Sequence, residues 1–227
     1  MKKIPTLFNR VFSEDRKKKT ILSEVTPGCE IVLEGKCMPT IKWDGACCAI
    51  LGGEIYRRYD AKIGKGGKQK KPPEGAVPCQ PEPDPITGHW PHWVKCEKGN
   101  PADKYFLDAF RNWELEFGRG NLLDSKQITT MEAIGLHFQG NPYNFARDLL
   151  VRHGRDVIPE LNLAEEGHLE EDVNGFRFKN HKVLTYEKLR DYLETHYIEG
   201  IVFWYKDEPL CKIKRSDFGF EWPIKGK

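Results

Sequence analysis

The chain mixes two periods of apolar and polar residues. Residues 46–51 (ACCAIL) form a short unbroken apolar run, which predicts a buried strand. Gly52-Gly53 then predicts a tight turn into a second strand over residues 54–59, and the two together read as a hairpin. Residues 29–36 (CEIVLEGK), 112–117 and 128–138 read as further strands. In the C-terminal stretch GIVFWYKDEPLCKIKR the pattern predicts strand, a turn at 206–209, and strand. Helical spacing occurs over residues 184–197, where Leu189, Tyr192, Leu193 and Tyr197 share a face and Thr185 is the expected N-cap. Asn141-Pro142 is expected to open a second helix that runs to about His153, with Gly154 at its end. Residues 63–101 are rich in Gly, Pro and Lys and read as one long loop. The sum predicts an α+β protein of mainly antiparallel strands. It is expected to be a single domain over residues 1–227, with residues 1–30 an N-terminal extension that carries no motif.

Composition narrows the class. At 227 residues, 39% apolar and 31% charged, the chain can bury a real core. No apolar run reaches spanning length, and MKKIPTLFNR lacks the apolar stretch of a secretory signal. The expected setting is cytoplasmic or nuclear, neither secreted nor in a membrane. The seven cysteines form no CxxC pair, which argues against a zinc framework or a disulfide scaffold. Cys47 and Cys48 sit in the apolar run and read as small core residues. Net charge is only +2, but bases cluster at residues 16–19 and at Arg57, Arg58, Lys62, Lys65, Lys68, Lys70 and Lys71. The acids gather elsewhere, notably at Glu165, Glu166, Glu170, Glu171 and Asp172. Basic patches of this kind suit a polyanion or simply a solvated surface.

One position stands apart. Lys42 in TIKWDGACCAI lies against an apolar run, although lysine is rarely buried unless paired. Either it is an edge residue with its head in water, or its amine is kept for chemistry. A nucleophilic amine must be neutral, and bringing a lysine from a pKa of ~10.4 to ~7 takes about 4–5 kcal/mol of selective destabilisation of the ammonium. Apolar neighbours and nearby cations supply that. Cys211-Lys212-Ile213-Lys214 alternates, so Lys212 and Lys214 share one strand face. Glu132, inside TTMEAIG, and Glu199, before IVFW, are lone acids at strand-like segments. Cations to hold phosphates, carboxylates to hold a divalent ion and an amine to attack point together to ATP-dependent phosphoryl chemistry.

These stretches resemble, in order, the motifs of the covalent nucleotidyltransferases, which comprise DNA ligases, RNA ligases and mRNA capping enzymes. Lys42-Trp43-Asp44-Gly45 resembles KxDG, and Tyr56-Arg57-Arg58-Tyr59-Asp60 the arginine-bearing motif. Met131-Glu132-Ala133-Ile134-Gly135 resembles the third motif, Glu199-Gly200-Ile201-Val202 the EGxV motif and Lys212-Ile213-Lys214 the KxK motif. From about residue 38 to 224, KWDGACC, RRYDAK, GHWPHWV, EAIGLHFQGNPY, EGIVFWYKDEPLCKIKR and FGFEWPI are similar to the small 5′-to-3′ RNA ligases of animals.

The resemblance implies a nucleotidyltransferase (ATP-grasp-like) domain of antiparallel sheets with flanking helices. It implies that Lys42 attacks the α-phosphate of ATP, that AMP passes to an RNA 5′-phosphate, and that a 3′-hydroxyl displaces it. Lys42, Lys212 and Lys214 are the catalytic residues so implied. Thr40, Ile41, Lys42, Asp44, Gly45, Arg58, Glu132, Glu199, Lys212 and Lys214 are the nucleotide-binding set, and Glu132 and Glu199 the holders of Mg²⁺ or Mn²⁺. Arg58 matches the family arginine better than Arg57. Phe138 is either a ring that stacks on adenine or a core residue, and His89, Trp90, His92 and Trp93 read as a packing cluster rather than ligands. The expected partner is RNA with 5′-phosphate and 3′-hydroxyl ends, with no membrane and no obligate protein. Only residues 215–227 follow Lys214, so no OB-fold is expected there. A minimal DNA ligase, or a nucleotide- or RNA-binding module without ligase activity, are the alternatives.

Overall fold

The computed structural model describes residues 3–14, 19–63, 69–118, 127–163, 169–171, 177–179 and 183–224. In chain order the strands are Phe8–Phe12 (β1), Lys19–Val25 (β2), Met38–Lys42 (β3), Ala46–Leu51 (β4), Glu54–Lys62 (β5), Val77–Pro78 (β6), His89–Lys95 (β7), Thr129–Ile134 (β8), Leu149–Arg152 (β9), Leu169–Glu171 (β10), Arg177–Lys179 (β11), Gly200–Tyr205 (β12) and Glu208–Lys214 (β13). The helices are Glu30–Leu33 (α1), Lys104–Phe117 (α2) and Tyr186–Thr195 (α3). Among the described residues every ladder between these strands is antiparallel, and the protein is α+β.

The described residues gather into two units. One comprises Asp44–His153 with Lys3, the other Ile4–Trp43 and the residues from Gly154 onward. The first unit is a six-stranded sheet in the order β6-β7-β5-β4-β8-β9. Gly52 and Gly53, at φ of 59° and 75°, make the left-handed turn that joins β4 to β5. Cys48, Ile50, Ile55, Met131, Ala133 and Leu150 pack with Ala109 of α2 in one core.

The second unit is built on a three-stranded sheet in the order β13-β12-β3. Lys206 and Asp207, at φ of 49° and 64°, form the two-residue turn between β12 and β13. Ile201, Phe203, Cys211 and Ile213 point from this sheet into a core shared with Leu7, Phe8, Leu189 and Leu193. α3 forms as its spacing predicts, and the Thr185 hydroxyl accepts from the Lys188 N–H at 3.1 Å. The segment before the motifs belongs to this unit. Thr6 makes a parallel bridge to Lys212, and β1 and β2 form a hairpin.

Five predicted elements differ. Residues 29–36 hold one helical turn, α1, not a strand. It seats Val32 in the core and ends at Gly35, whose φ is 71°. Residues 112–117 are the last part of α2. Phe106, Ala109, Phe110 and Trp113 recur every three to four residues, a period the short window cut in half. Residues 141–153 do not form a helix. Asn141 and Asn144 sit at φ of 51° and 54°, Asn141 closes a turn with the backbone of Phe145, and the chain then enters β9. Residues 63–101 are not one loop. They contain β7, which pairs along β5 from Tyr56↔Lys95 to Lys62↔His89. The strand over 128–138 is confined to β8, because Gly135 turns away at φ 123°.

Candidate functional site: a lysine row on one sheet face

The register of β13-β12-β3 aligns the chemistry. Lys42 and Lys214 both pair with Gly200, from opposite sides. Residues opposite one another point to the same face, so the two amines flank a position that has no side chain. Only glycine fits there, since a Cβ on Gly200 would lie 2.3 Å from the Ile213 carbonyl oxygen. Glu199, one residue earlier, accepts from both lysines, with Oε2 taking Lys42 Nζ and Oε1 taking Lys214 Nζ. The Glu199 side chain is 7% exposed, while those of Lys42 and Lys214 are 22% and 28% exposed, so the carboxylate is enclosed and the amines remain reachable. Lys42 is therefore a paired lysine.

Lys212 lies on the same face, two residues from Lys214, and pairs with Val202, whose other partner is Thr40. Burial, then the positive charges of Lys42, Lys214 and Arg10, pull its pKa down to about 8, against a weaker opposing pull from Glu199. Arg10 was not among the predicted residues. It comes from β1 and donates to Asp217 at 2.7 Å. Asp217, 2% exposed, also accepts from the Lys214 backbone N–H at 3.0 Å, which fixes the end of β13. Nothing in the spacing of FNRVF ties Arg10 to this place, because the link is a bridge between Thr6 and Lys212.

The residues beside Lys42 are held by both side-chain and backbone hydrogen bonds. Thr40 is 1% exposed, and its hydroxyl accepts from Trp204 Nε1 at 2.9 Å. The Ile41 N–H donates to the Asp156 carbonyl at 2.9 Å, and Trp43 Nε1 donates to Asp156 Oδ2 at 2.7 Å.

Asp44, Gly45, Arg58 and Glu132 belong to the six-stranded unit. The Asp44 N–H donates to the Tyr143 hydroxyl at 2.8 Å. Gly45 is needed because a Cβ there would stand 2.2 Å from the Ala133 carbonyl oxygen. Cys47 and Glu132 are directly opposed in β4 and β8. Glu132 Oε2 lies 2.9 Å from His153 Nε2. Burial, aided by Glu132, pushes the Cys47 thiol up to about 12. Arg57 and Arg58 diverge as alternation requires. Arg57 pairs with the buried Asp103 at 2.6 Å, whereas Arg58 is held by Asp60 at 2.8 Å and neighbours Cys47.

Phe138 is 6% exposed and packs edge-on against Phe106, which makes it a core residue. His92 and Trp93 are buried and Trp90 meets the His92 ring at 4.6 Å, so these three pack, whereas His89 is exposed. Cys48 is fully buried. Residues 16–18, 64–68, 165, 166 and 172 lie outside the described residues, and with them most of the basic run at 16–19, Lys65 and Lys68 of the second basic cluster, and part of the acidic cluster. Among the described residues no helix is long and apolar enough to cross a membrane.

No family model matches the chain. Among curated proteins it is similar to RNA ligase 1 of Pongo abelii, with 25% identity over an alignment of 242 positions, gaps included, that covers 82% of this chain and 69% of that protein. The likeness supports kinship with RNA ligases.

Proposed function

We propose that the protein is an ATP-dependent RNA ligase with a nucleotidyltransferase fold, and that it joins 5′-phosphate and 3′-hydroxyl RNA ends through a lysyl-AMP intermediate. The observation that carries this is the row of Lys42, Lys214 and Lys212 on one sheet face, with Glu199 between the first two. Three amines and Arg10 in so small a space suit a multiply charged anion such as a nucleotide phosphate. Lys42 is the proposed nucleophile. Its Nζ bonds to the α-phosphorus as pyrophosphate leaves, and its proton departs toward Glu199, which already accepts from it. Lys212 and Lys214 steady the charge that builds on the phosphate.

Glu199 is a hard oxygen donor of the kind Mg²⁺ or Mn²⁺ takes, together with substrate phosphates. Both its oxygens are held by lysines, so an ion would bind there in competition with Lys42 or Lys214. When bound, it would neutralise phosphate charge. For Asp44, Gly45, Arg58 and Glu132 the proposal of nucleotide contact rests on the motif resemblance. RNA as the substrate rests on the similarity to RNA ligase 1.

Incubation with ATP labelled at the α-phosphate and Mg²⁺ should leave label on the protein, and Lys42→Ala should carry none. Sealing of single-stranded RNA, nicked duplex RNA and nicked DNA, each with 5′-phosphate ends, then tests the substrate. Label without sealing of any of the three substrates would reject the ligase reading, and sealing of DNA alone would make it a DNA ligase.

A further inference from the structure

We propose that Cys47, Glu132 and His153 form a binding site for a borderline-soft divalent cation, with Zn²⁺ the best-fitting guest. Their donor atoms, a thiol sulfur, a carboxylate oxygen and an imidazole nitrogen, all lie within 4.8 Å of one another. The fold builds the cluster from three adjacent strands. Cys47 of β4 is directly opposite Glu132 of β8, and Glu132 is opposite Val151 of β9, two residues before His153. The His153 backbone N–H donates to the Thr130 carbonyl at 3.2 Å, which keeps the ring alongside β8.

A second observation points to a ligand. One imidazole nitrogen faces Glu132 at 2.9 Å, while the other, Nδ1, is buried without a hydrogen-bond partner. Buried polar atoms without partners are rare and call for an explanation such as an ion. A cation held by Nδ1 removes the deficit, and the ring can turn to offer that nitrogen to the site once the Nε2 contact with Glu132 is given up.

The donor set chooses the metal. Mg²⁺ takes oxygen ligands in octahedral geometry, whereas sulfur and imidazole with one carboxylate suit zinc. Donors on a tetrahedral zinc stand roughly 3–4 Å apart, so about 1 Å of side-chain movement closes the set. Three protein ligands leave a fourth position open to water or another ligand, the arrangement of exchangeable rather than purely structural zinc. The side chains of Glu132 and His153 are 13% and 16% exposed, which leaves a route in. On coordination the thiol proton goes to solvent. Arg58 pairs with Asp60 and also reaches the Cys47 sulfur, so a cation must displace it from the thiol.

Cobalt is the probe. Titration of the full chain with Co²⁺, without nucleotide or RNA, is expected to give a thiolate-to-cobalt charge-transfer band with tetrahedral visible bands, displaced by Zn²⁺. Cys47→Ser should lose the charge-transfer band. His153→Gln should weaken binding by more than the roughly 10-fold typical of losing even an outer partner. Cys79→Ser, at another partly exposed cysteine, should behave as the wild type. As a second readout, Zn²⁺ should raise the melting temperature of the wild type and not of His153→Gln. No charge-transfer band in the wild type, or an unchanged band in Cys47→Ser, would overturn the proposal. Because the assay contains no nucleotide, its outcome is independent of the ligase reading.

Discussion

Two glutamates, one in each unit, sit at the centre of opposite kinds of company. Glu199 is enclosed and gives both oxygens to lysine amines, with Lys212 and Arg10 adding further positive charge. Glu132 is nearly as enclosed, yet its partner is a single imidazole, with a thiol beside it. The first carboxylate is outnumbered by cations and serves to hold them in place. The second faces donors that can share an ion. The same residue type in a strand therefore takes its chemistry from the strand opposite. For Glu199 the register supplies two lysines flanking a glycine, and for Glu132 it supplies a cysteine.

The sharpest way to break the comparison is at Lys42. Lys42→Arg keeps the charge and a partner for Glu199, but a guanidinium does not form the phosphoramidate. The fold should survive and covalent labelling by ATP should fall to background, as read on a denaturing gel. Persistent label would move the nucleophile elsewhere. Next in size is Glu199→Gln. It leaves two amines without their counter-charge, and loss of one partner from an enclosed pair costs about 3–5 kcal/mol. Because those amines are partly exposed, about 3 kcal/mol is expected by urea unfolding at pH 7. Glu132→Gln should cost clearly less, since it removes one imidazole contact.

Gly200→Ala sharpens the comparison at the backbone. Its Cβ would collide with the Ile213 carbonyl, and overpacking of that kind costs about 1–3 kcal/mol. Gly45→Ala should do the same in the six-stranded unit, against the Ala133 carbonyl, and thermal melts would compare them. The last prediction concerns Lys212. Its folded value of about 8 lies below its ordinary 10.5. Below pH 8 it is charged in both states and the burial penalty is fully present. As pH rises from about 8 toward 10.5 the unfolded chain holds a proton that the folded protein lacks, so stability rises. Lys212→Met should therefore raise the urea midpoint at pH 7 and flatten that rise.

The strands nearest the chemistry were legible, because ACCAIL and KIK are short patterns bounded by clear turns. The alternation in Cys211-Lys212-Ile213-Lys214 correctly assigned two faces. What the pattern could not supply was partnership across the chain. Lys42 meets Glu199, 157 positions away, and no local spacing encodes that distance. β7 was hidden by Pro91 within HWPHWVK, since proline reads as a strand breaker. α2 was hidden because an aromatic-rich end, Trp113 to Phe117, resembles a strand when its first two turns are left out. Residues 141–148 carry helix-opening letters, but the asparagines there prefer left-handed turns.

The division of the chain has a consequence during synthesis. Asp44–His153 is one uninterrupted stretch, so its sheet can assemble as soon as it clears the ribosome. β3 has no such liberty, for its ladder partner begins only at Gly200. The nascent polypeptide must carry Lys42 without its carboxylate until nearly the last strand emerges. Premature termination before that point would yield a folded insert preceded by a Lys42 strand that has never met its ladder partner.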